Sequence, residues 1–176
     1  MAKIAYILLC HKDPAAVIRQ AQRLTAVGDY ISIHFDASAS KADHQQITKA
    51  LEDDPNVTFP ARRVRCGWGE WSLVQATLNA VRAAMEAFPR ATHFYMLSGD
   101  CMPIKSAEYA HKLLDQDDAD FIESVDYFDG NWIQTGWKEE RLIYRHWFNE
   151  RTQPKRFYAM FEVQKRLGLV RPPTTC

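Results

Sequence analysis

Polar and glycine-containing turns follow apolar segments of this sequence at four places, and they hold the residues best suited to chemistry. Aspartate and histidine side chains supply charge and hydrogen bonds, and a glycine turn can expose backbone N–H groups to a ligand. Each turn alone also fits a simpler role, as a helix cap, a tight turn or a hydrogen-bonded histidine. Their occurrence together favours a binding site. The four turns are Cys10-His11-Lys12-Asp13, His34-Phe35-Asp36, Cys66-Gly67-Trp68-Gly69 and Ser98-Gly99-Asp100.

Strand and helix patterns alternate between these turns. A continuous apolar run, typical of a strand covered on both faces, occupies Ile4–Cys10. A second β-rich run occupies Tyr30–Phe35, and another apolar strand is expected over residues 93–97. Asp13-Pro14 predicts a helix start, with Asp13 as N-cap, and Gly28 predicts the end of that segment. Further strands are expected over 56–59, 63–65 and 121–125, and further helices over 42–51, 71–88, 106–114 and 157–167.

The alternation predicts an α/β domain with a mainly parallel sheet. Parallel strands joined by right-handed crossovers leave their carboxyl ends at one edge, where ligands of such sheets bind, so the four turns are expected to converge there. The predicted α/β domain covers residues 1–126. An aromatic-rich extension with a loose C-terminal end covers residues 127–176.

The most regular helix pattern lies in residues 71–88. Six large apolar side chains recur there at intervals of three and four residues, which places all of them on one helix face. They are Trp71, Val74, Leu78, Val81, Met85 and Phe88.

Composition excludes several classes of protein. The 176 residues include 22 Lys+Arg and 22 Asp+Glu, with 47% hydrophobic residues, which excludes a disordered or fibrous chain. No apolar run is long enough to cross a bilayer, and the N-terminus does not resemble a signal peptide. We therefore expect a cytoplasmic protein, or one peripheral to the cytoplasmic face of the membrane. Four scattered cysteines predict buried free thiols in a reducing compartment: Cys10, Cys66, Cys101 and Cys176.

Charge and motifs narrow the chemistry further. The last 26 residues are basic, which indicates a solvated face or a role at a phosphate or membrane surface, but no basic-aromatic stripe predicts nucleic-acid binding. Glycine-rich dinucleotide, P-loop and nucleophile-elbow motifs are absent, and so are metal-binding histidine spacings. Asp118-Ala119-Asp120 matches the Asp-x-Asp pattern of metal-dependent sugar transferases, but it precedes a predicted strand and is interpreted as a solvated turn.

The four turns, in this order and spacing, resemble the core-2/I-branching β-1,6-N-acetylglucosaminyltransferases, a family that also contains peptide O-xylosyltransferases. The resemblance covers about residues 2–114. It is carried by AYILLCHKD from Ala5, IHFD from Ile33, WGEWSLVQA from Trp68 and YMLSGDCMPIKS from Tyr95.

This resemblance implies a Rossmann-like GT-A fold and an inverting glycosyltransferase. The enzyme would move N-acetylglucosamine or xylose from a UDP-sugar to a carbohydrate or protein hydroxyl acceptor, with no obligatory metal or other cofactor. It also implies that Asp36 holds the uridine and that Asp100 accepts hydrogen bonds from the donor sugar. The remaining nucleotide-binding residues that it implies are Leu9, His11, Cys66, Gly67 and Trp68.

The sequence departs from the family pattern at two points. Cys101 stands where the family places an aspartate before its aromatic-proline pair, and Asp100 stands one residue earlier. The family's catalytic glutamate, in its C-terminal half, has no convincing counterpart before Cys176, so no base is assigned among Glu139, Glu140, Glu150 and Glu162. The alternative interpretation is a truncated or non-catalytic nucleotide-sugar-binding module, since inverting transfer requires a carboxylate near the acceptor hydroxyl.

Overall fold

The computed structural model describes residues 2–116, 119 and 140–171. Within these ranges strands and helices alternate along the first part of the chain, and helices follow in the second. The elements are β1 (Ile4–Cys10), α1 (Pro14–Thr25), β2 (Tyr30–Phe35), α2 (Lys41–Leu51), β3 (Val57–Thr58), α3 (Trp71–Ala87), β4 (His93–Ser98), α4 (Ala107–Gln116), α5 (Glu140–Ile143) and α6 (Pro154–Leu167).

The strands form one parallel sheet in the order β3-β2-β1-β4. β1 pairs with β2 on one side, placing Cys10 opposite Phe35, and with β4 on the other, placing Leu9 opposite Ser98. The predicted α/β fold with a parallel sheet is confirmed. β2, the next strand in sequence, lies on one side of β1, and β4, a later strand, lies on the other side. The strand order therefore reverses at β1, which opens a crevice between the carboxyl ends of β1 and β4.

Helices cover both faces of the sheet. Alternate residues of β1 point to opposite faces, so Ile4, Tyr6 and Leu8 join one buried cluster, and Ala5 and Ile7 join another. Helices α1 and α2, together with part of α4, cover the first face, and α3 covers the second. This two-sided covering explains why β1 is a continuous apolar run rather than an alternating one.

Local signals set the ends of α1. Asp13 is the N-cap, and its Oδ1 accepts the Ala16 N–H at 2.9 Å, while Pro14 occupies the first helical position. The predicted helix start is therefore confirmed. The chain turns at Gly28, whose φ of 80° lies in the left-handed region that favours glycine.

Helix α3 buries a different face from the one that holds the six large apolar side chains. The buried side consists of Ala76, Ala80 and Ala84, whereas Trp71 is 69% exposed and Met85 59% exposed. Alanine lets the helix axis approach the sheet closely, so the small residues make the contact and the large apolar side chains are left on another side. Of the six predicted residues, Phe88 at the C-cap is buried, and Trp71, Val74, Leu78 and Met85 are exposed.

Two predicted strands also differ. The strand expected over 56–59 is limited to Val57–Thr58, and residues 63–65 form no strand. Residues 63–65 lie beside the end of β2 instead, where the Ala37 N–H donates to the Val64 carbonyl at 3.0 Å. The Val64 N–H is taken by a side chain, His34 Nε2, at 2.8 Å, which replaces a ladder hydrogen bond.

The chain divides into two compact units, Met1–Ala119 and Asp120–Cys176. In the second unit, the Gln164 side chain of α6 accepts the Arg145 N–H at 2.9 Å and donates to the Arg145 carbonyl at 3.0 Å. The Arg171 N–H donates to the Ile143 carbonyl at 2.8 Å, which ties residue 171 to α5. The boundary predicted after residue 126, the strand over 121–125 and the Asp118-Ala119-Asp120 motif lie wholly or partly outside the described residues and stay predictions.

Candidate functional site

A cavity of about 280 Å³ lies between the carboxyl ends of β1 and β4. This is the crevice at which open parallel sheets bind their ligands, because two neighbouring crossovers leave the sheet there in opposite directions. Residues from the end of β1, the start of α1 and the turn after β4 line it. They are Leu9, Cys10, His11, Lys12, Asp13, Ala16, Ser98, Gly99 and Asp100. The structure thus brings together three of the predicted site residues, Leu9, His11 and Asp100.

Hydrogen bonds hold the ends of three strands side by side. The Gly99 N–H donates to the Leu9 carbonyl at 3.0 Å, and the Asp36 N–H donates to the Cys10 carbonyl at 2.9 Å. Neighbouring strands lie about 4.8 Å apart, so the turns after β2 and β4 are separated by roughly 10 Å, with the end of β1 between them. Asp36 and Asp100 therefore flank the same stretch of the sheet edge.

The turn after β4 is held in place by hydrogen bonds from a side chain of α1, and its backbone lies close to β1. The buried Gln20 amide of α1 donates to the carbonyls of Ser98, at 3.3 Å, and Cys101, at 2.5 Å. A Cβ placed on Gly99 would lie 2.9 Å from Cys10 Cβ, so glycine is needed for this approach. The Asp100 side chain points to solvent and pairs with Lys12 across the crevice, with 3.2 Å between Nζ and Oδ2.

At the end of β1, Asp13 combines its capping role with an unusual backbone. Its φ of 49° places it in the left-handed region, where no other non-glycine residue of the described chain lies. This backbone conformation, at a residue that lines a crevice, is typical of functional turns. His11 is exposed beside it, at the mouth of the cavity.

Asp36, at the end of β2, is the most connected of the predicted site residues. The residue is 8% exposed, and Oδ1 accepts the Ser38 N–H at 2.6 Å and the Ser38 hydroxyl at 2.7 Å. Oδ2 accepts the Cys66 N–H at 3.2 Å. Burial raises the pKa of this carboxyl, but the hydrogen bonds from Ser38 and Cys66 outweigh burial and leave the pKa below its ordinary value.

The third predicted turn, Cys66-Gly67-Trp68-Gly69, is joined to Asp36 by a hydrogen bond from the Cys66 N–H. The sequence interpretation that this glycine turn exposes backbone N–H groups is wrong for Cys66 and Gly67, because the Cys66 N–H goes to Asp36 and the Gly67 N–H donates to Ser72 Oγ at 2.9 Å. Trp68, which follows, is 71% exposed. The turn therefore offers an aromatic side chain to solvent rather than two backbone donors.

His34 has the simpler of its two predicted roles. It is buried, and its Nε2 accepts the Val64 N–H, so the ring is neutral with its proton on Nδ1. Burial lowers the pKa of this histidine, and the nearby Arg63 acts in the same direction. His34 positions the segment that leads to Cys66 and does not face the crevice as a ligand.

The cysteines differ in environment. Cys10, Cys66 and Cys101 are free thiols. Burial raises the pKa of Cys10 to about 12 and that of Cys66 to about 11. Cys101 is exposed, so its predicted burial is wrong, and hydrogen bonds from Ser98 lower the pKa of its thiol. Cys176 lies outside the described residues.

Two features that sequence reasoning did not select belong to this site. Lys12 follows His11, which was a predicted site residue. Its ion-pair partner, Asp100, is distant in the sequence, so no local sequence pattern indicates the pair. Gln20 falls on the buried side of α1, where its amide holds the β4 turn. A polar residue at a core position of a helix was the signal that could have found Gln20.

Two glutamates of the second unit, Glu140 and Glu150, contact side chains within that unit. Glu140 Oε1 lies 3.8 Å from Lys165 Nζ, and Glu150 Oε1 accepts the Tyr158 hydroxyl at 2.5 Å. Glu162 is exposed on α6, and Glu139 lies outside the described residues. The described ranges contain no cluster of three metal-ligating side chains and no helix of the length and apolarity that a membrane span requires.

The fold and the crevice agree with a comparison to known families. The family model of the Core-2/I-branching enzyme matches residues 4–164, so this chain belongs to that family, whose fold is GT-A-like. The match extends well past residue 114, where the motif resemblance ended.

Among curated proteins, the chain is similar to a human β-1,3-galactosyl-O-glycosyl-glycoprotein β-1,6-N-acetylglucosaminyltransferase 3. The two are 25% identical over 103 residues, which cover 58% of this chain. The matched segment spans 24% of that relative's length.

Proposed function

We propose that this chain binds a UDP-sugar at the carboxyl edge of its sheet and belongs to an inverting glycosyltransferase. The enzyme would transfer N-acetylglucosamine or xylose to a carbohydrate or protein hydroxyl. The observation that carries the proposal is the crevice between β1 and β4, lined by Leu9, His11 and Asp100, in a chain of the Core-2/I-branching family. The name of the human relative, a β-1,6-N-acetylglucosaminyltransferase, supports N-acetylglucosamine as the first donor sugar to test.

The hydrogen-bonding capacity of Asp36 fits the uridine role. A carboxylate has about four acceptor positions, and the Ser38 and Cys66 donors occupy three of them. Oδ2 accepts one backbone donor, and we propose that a uracil N–H or a ribose hydroxyl binds at the same oxygen, beside the Cys66 thiol, which also contacts this carboxylate. Because the carboxylate is held by three hydrogen bonds, it is oriented before the ligand arrives, which reduces the entropy lost on binding.

The neighbouring side chains supply the other contacts of a nucleotide site. Leu9 offers an apolar wall, and the exposed Trp68 offers an aromatic face on which a base or sugar ring can stack. Asp100, on the other side of β1, is placed to accept hydrogen bonds from sugar hydroxyls. The proposed ligand therefore extends along the sheet edge from Asp36 to Asp100.

In the proposed reaction the acceptor oxygen forms a bond to the anomeric carbon while the bond to the UDP oxygen breaks. A base removes the acceptor proton, and UDP leaves with the bonding electrons. We assign no residue to the base. Glu140 and Glu150 are candidates by residue type, and both are engaged within the second unit, by Lys165 and Tyr158. We propose no obligatory metal.

Calorimetric titration with UDP tests the donor site, and release of UDP from UDP-N-acetylglucosamine and UDP-xylose tests turnover. Binding together with UDP release in the presence of a hydroxyl acceptor is the expected result. Binding without release would support the alternative, a nucleotide-sugar-binding module. Absence of UDP binding would contradict both.

A further inference from the structure

An ion pair spans the mouth of the crevice. Lys12 lies two residues after β1 and Asp100 two residues after β4, and Lys12 Nζ approaches Asp100 Oδ2 to 3.2 Å. The two side chains are 59% and 70% exposed. The pair therefore joins the two strand ends that form the crevice, on its solvent side.

The charges around the crevice pose a problem for a nucleoside diphosphate. Two carboxylates, Asp13 and Asp100, line it, and Lys12 is the single Lys or Arg among the described lining residues. Asp13 is committed to capping α1. A diphosphate that enters beside both carboxylates meets like charges unless a cation turns toward it.

Lys12 can make that turn. An exposed ion pair gains little, because water and salt screen it and two long side chains must be held in place. The lysine ammonium is a compact charge on a flexible stem, so it can exchange one anionic partner for another without a backbone change. A diphosphate carries more negative charge than one carboxylate and is the stronger partner.

We propose that Lys12 is a phosphate-binding residue of the donor site, held by Asp100 until the ligand arrives. When a nucleoside diphosphate binds, Lys12 turns to the phosphates, and the released Asp100 carboxylate accepts hydrogen bonds from the donor sugar. This inference rests on the proposed function, to which it adds a residue and an exchange of partners. The Asp100 carboxylate therefore has two partners in turn: Lys12 before the ligand binds, and the donor sugar afterwards.

The test titrates uridine, UDP and UDP-N-acetylglucosamine into the wild-type chain and three variants. Lys12→Met is expected to weaken UDP about tenfold and to leave uridine unchanged, because uridine has no phosphate. Asp100→Asn is expected to strengthen UDP severalfold by removing a competing partner and a like charge. The same variant is expected to lose the extra affinity that the sugar confers over UDP.

Lys49→Met is the matched control. It removes the same charge from an exposed position in the last turn of α2, at the opposite edge of the sheet, and is expected to bind all three ligands as the wild type does. Thermal unfolding of each variant checks that the fold is intact.

Equal UDP affinity in Lys12→Met and the wild type would overturn the inference, as would an equal loss of uridine and UDP. Weaker UDP binding by Asp100→Asn would also overturn it, because the pair would then not compete with the ligand. A wild-type chain that binds neither uridine nor UDP would instead overturn the proposed function on which the inference rests.

Discussion

The turns that follow β2 and β4 both place an aspartate at the carboxyl edge of the sheet, and the two aspartates have opposite surroundings. Asp36 is buried and accepts three hydrogen bonds from Ser38 and Cys66. Asp100 is exposed and forms an ion pair with Lys12, which is exposed as well. The first carboxylate is fixed by buried hydrogen bonds, whereas the second is held by an exposed ion pair. An aspartate at a strand end can thus be part of the buried fold or stay at its surface.

The largest expected difference between the two turns is in stability. Asp36→Ala removes three charge-assisted hydrogen bonds and leaves the Cys66 N–H without its acceptor, so we expect a loss of about 2–4 kcal/mol in the free energy of unfolding. Asp100→Ala removes an exposed ion pair and is expected to cost less than about 1 kcal/mol. Urea unfolding of both variants measures the difference.

Ligand binding sharpens the same comparison. We expect Asp36→Ala to abolish UDP binding in calorimetry, whereas Asp36→Asn keeps an acceptor oxygen for Ser38 and should retain the fold better. Equal unfolding free energies for Asp36→Ala and Asp100→Ala would contradict the structural contrast. Unchanged UDP affinity in Asp36→Ala would show that Asp36 is not a uridine contact.

Two glycines extend the comparison to the backbone. An added Cβ on Gly99 would meet Cys10 Cβ at 2.9 Å, and the hydrogen bond from the Gly99 N–H to the Leu9 carbonyl holds the two strand ends together. Gly99→Ala is therefore expected to destabilise the chain by about 1–3 kcal/mol. An added Cβ on Gly67 would meet the carboxylate of Glu70, the far end of a flexible side chain, so Gly67→Ala should cost less. A larger cost for Gly67→Ala in thermal unfolding would contradict this order.

The pH dependence of the free energy of unfolding tests the role of His34, which positions the segment beside the end of β2. Because burial lowers the pKa of His34 from its ordinary 6.5, the unfolded chain takes up a proton at a higher pH than the folded chain does. Stability is therefore expected to fall as the pH drops below about 6.5, until the folded histidine is protonated in turn. His44, whose pKa is also lowered by burial and by Arg63, adds to the same slope.

The control for this slope is His34→Gln, whose amide oxygen can accept the Val64 N–H without titrating. Its unfolding free energy should depend less on pH between 7 and 5 than that of the wild type. Identical slopes would show that His34 is not the source.

The smallest expected effect concerns thiol reactivity and leaves the fold intact. Cys101 is exposed and has a lowered pKa, whereas the pKa values of Cys10 and Cys66 are raised to about 12 and about 11. Since the thiolate is the reactive form, iodoacetamide near pH 8 should label Cys101 more than about tenfold faster than the other two. Peptide mapping by mass spectrometry measures the rates, and faster labelling of Cys66 would contradict the assigned environments.

Sequence patterns predicted best the features that local residues determine. The bounds of β1 and β2 were predicted as observed. β1 is an unbroken apolar run, which requires burial on both faces, and β2 is rich in β-branched and aromatic residues. The start of α1 was predicted because an Asp-Pro pair at a helix N-terminus has a local physical cause.

Features that depend on distant neighbours were not predictable in the same way. The large apolar residues of α3 have helical spacing, but the alanines make the contact with the sheet. Which side of the helix packs there depends on the shape of the sheet surface, which the helix sequence alone does not show. Residues 63–65 have strand-like composition, yet His34 takes the Val64 N–H. The resemblance suggested Asp36 and Asp100 as site residues, but their different burial and partners follow from contacts between distant parts of the chain.

The most direct test of the central claim is to map the backbone amide signals that UDP perturbs in an NMR titration of the isotope-labelled chain. We expect shifts at the carboxyl edge of the sheet: His11, Lys12, Asp36, Trp68, Gly99 and Asp100. We expect no shifts at the opposite edge, around Gly28, Asn56 and Thr92. Shifts confined to that opposite edge, or no shifts at a saturating UDP concentration, would contradict it.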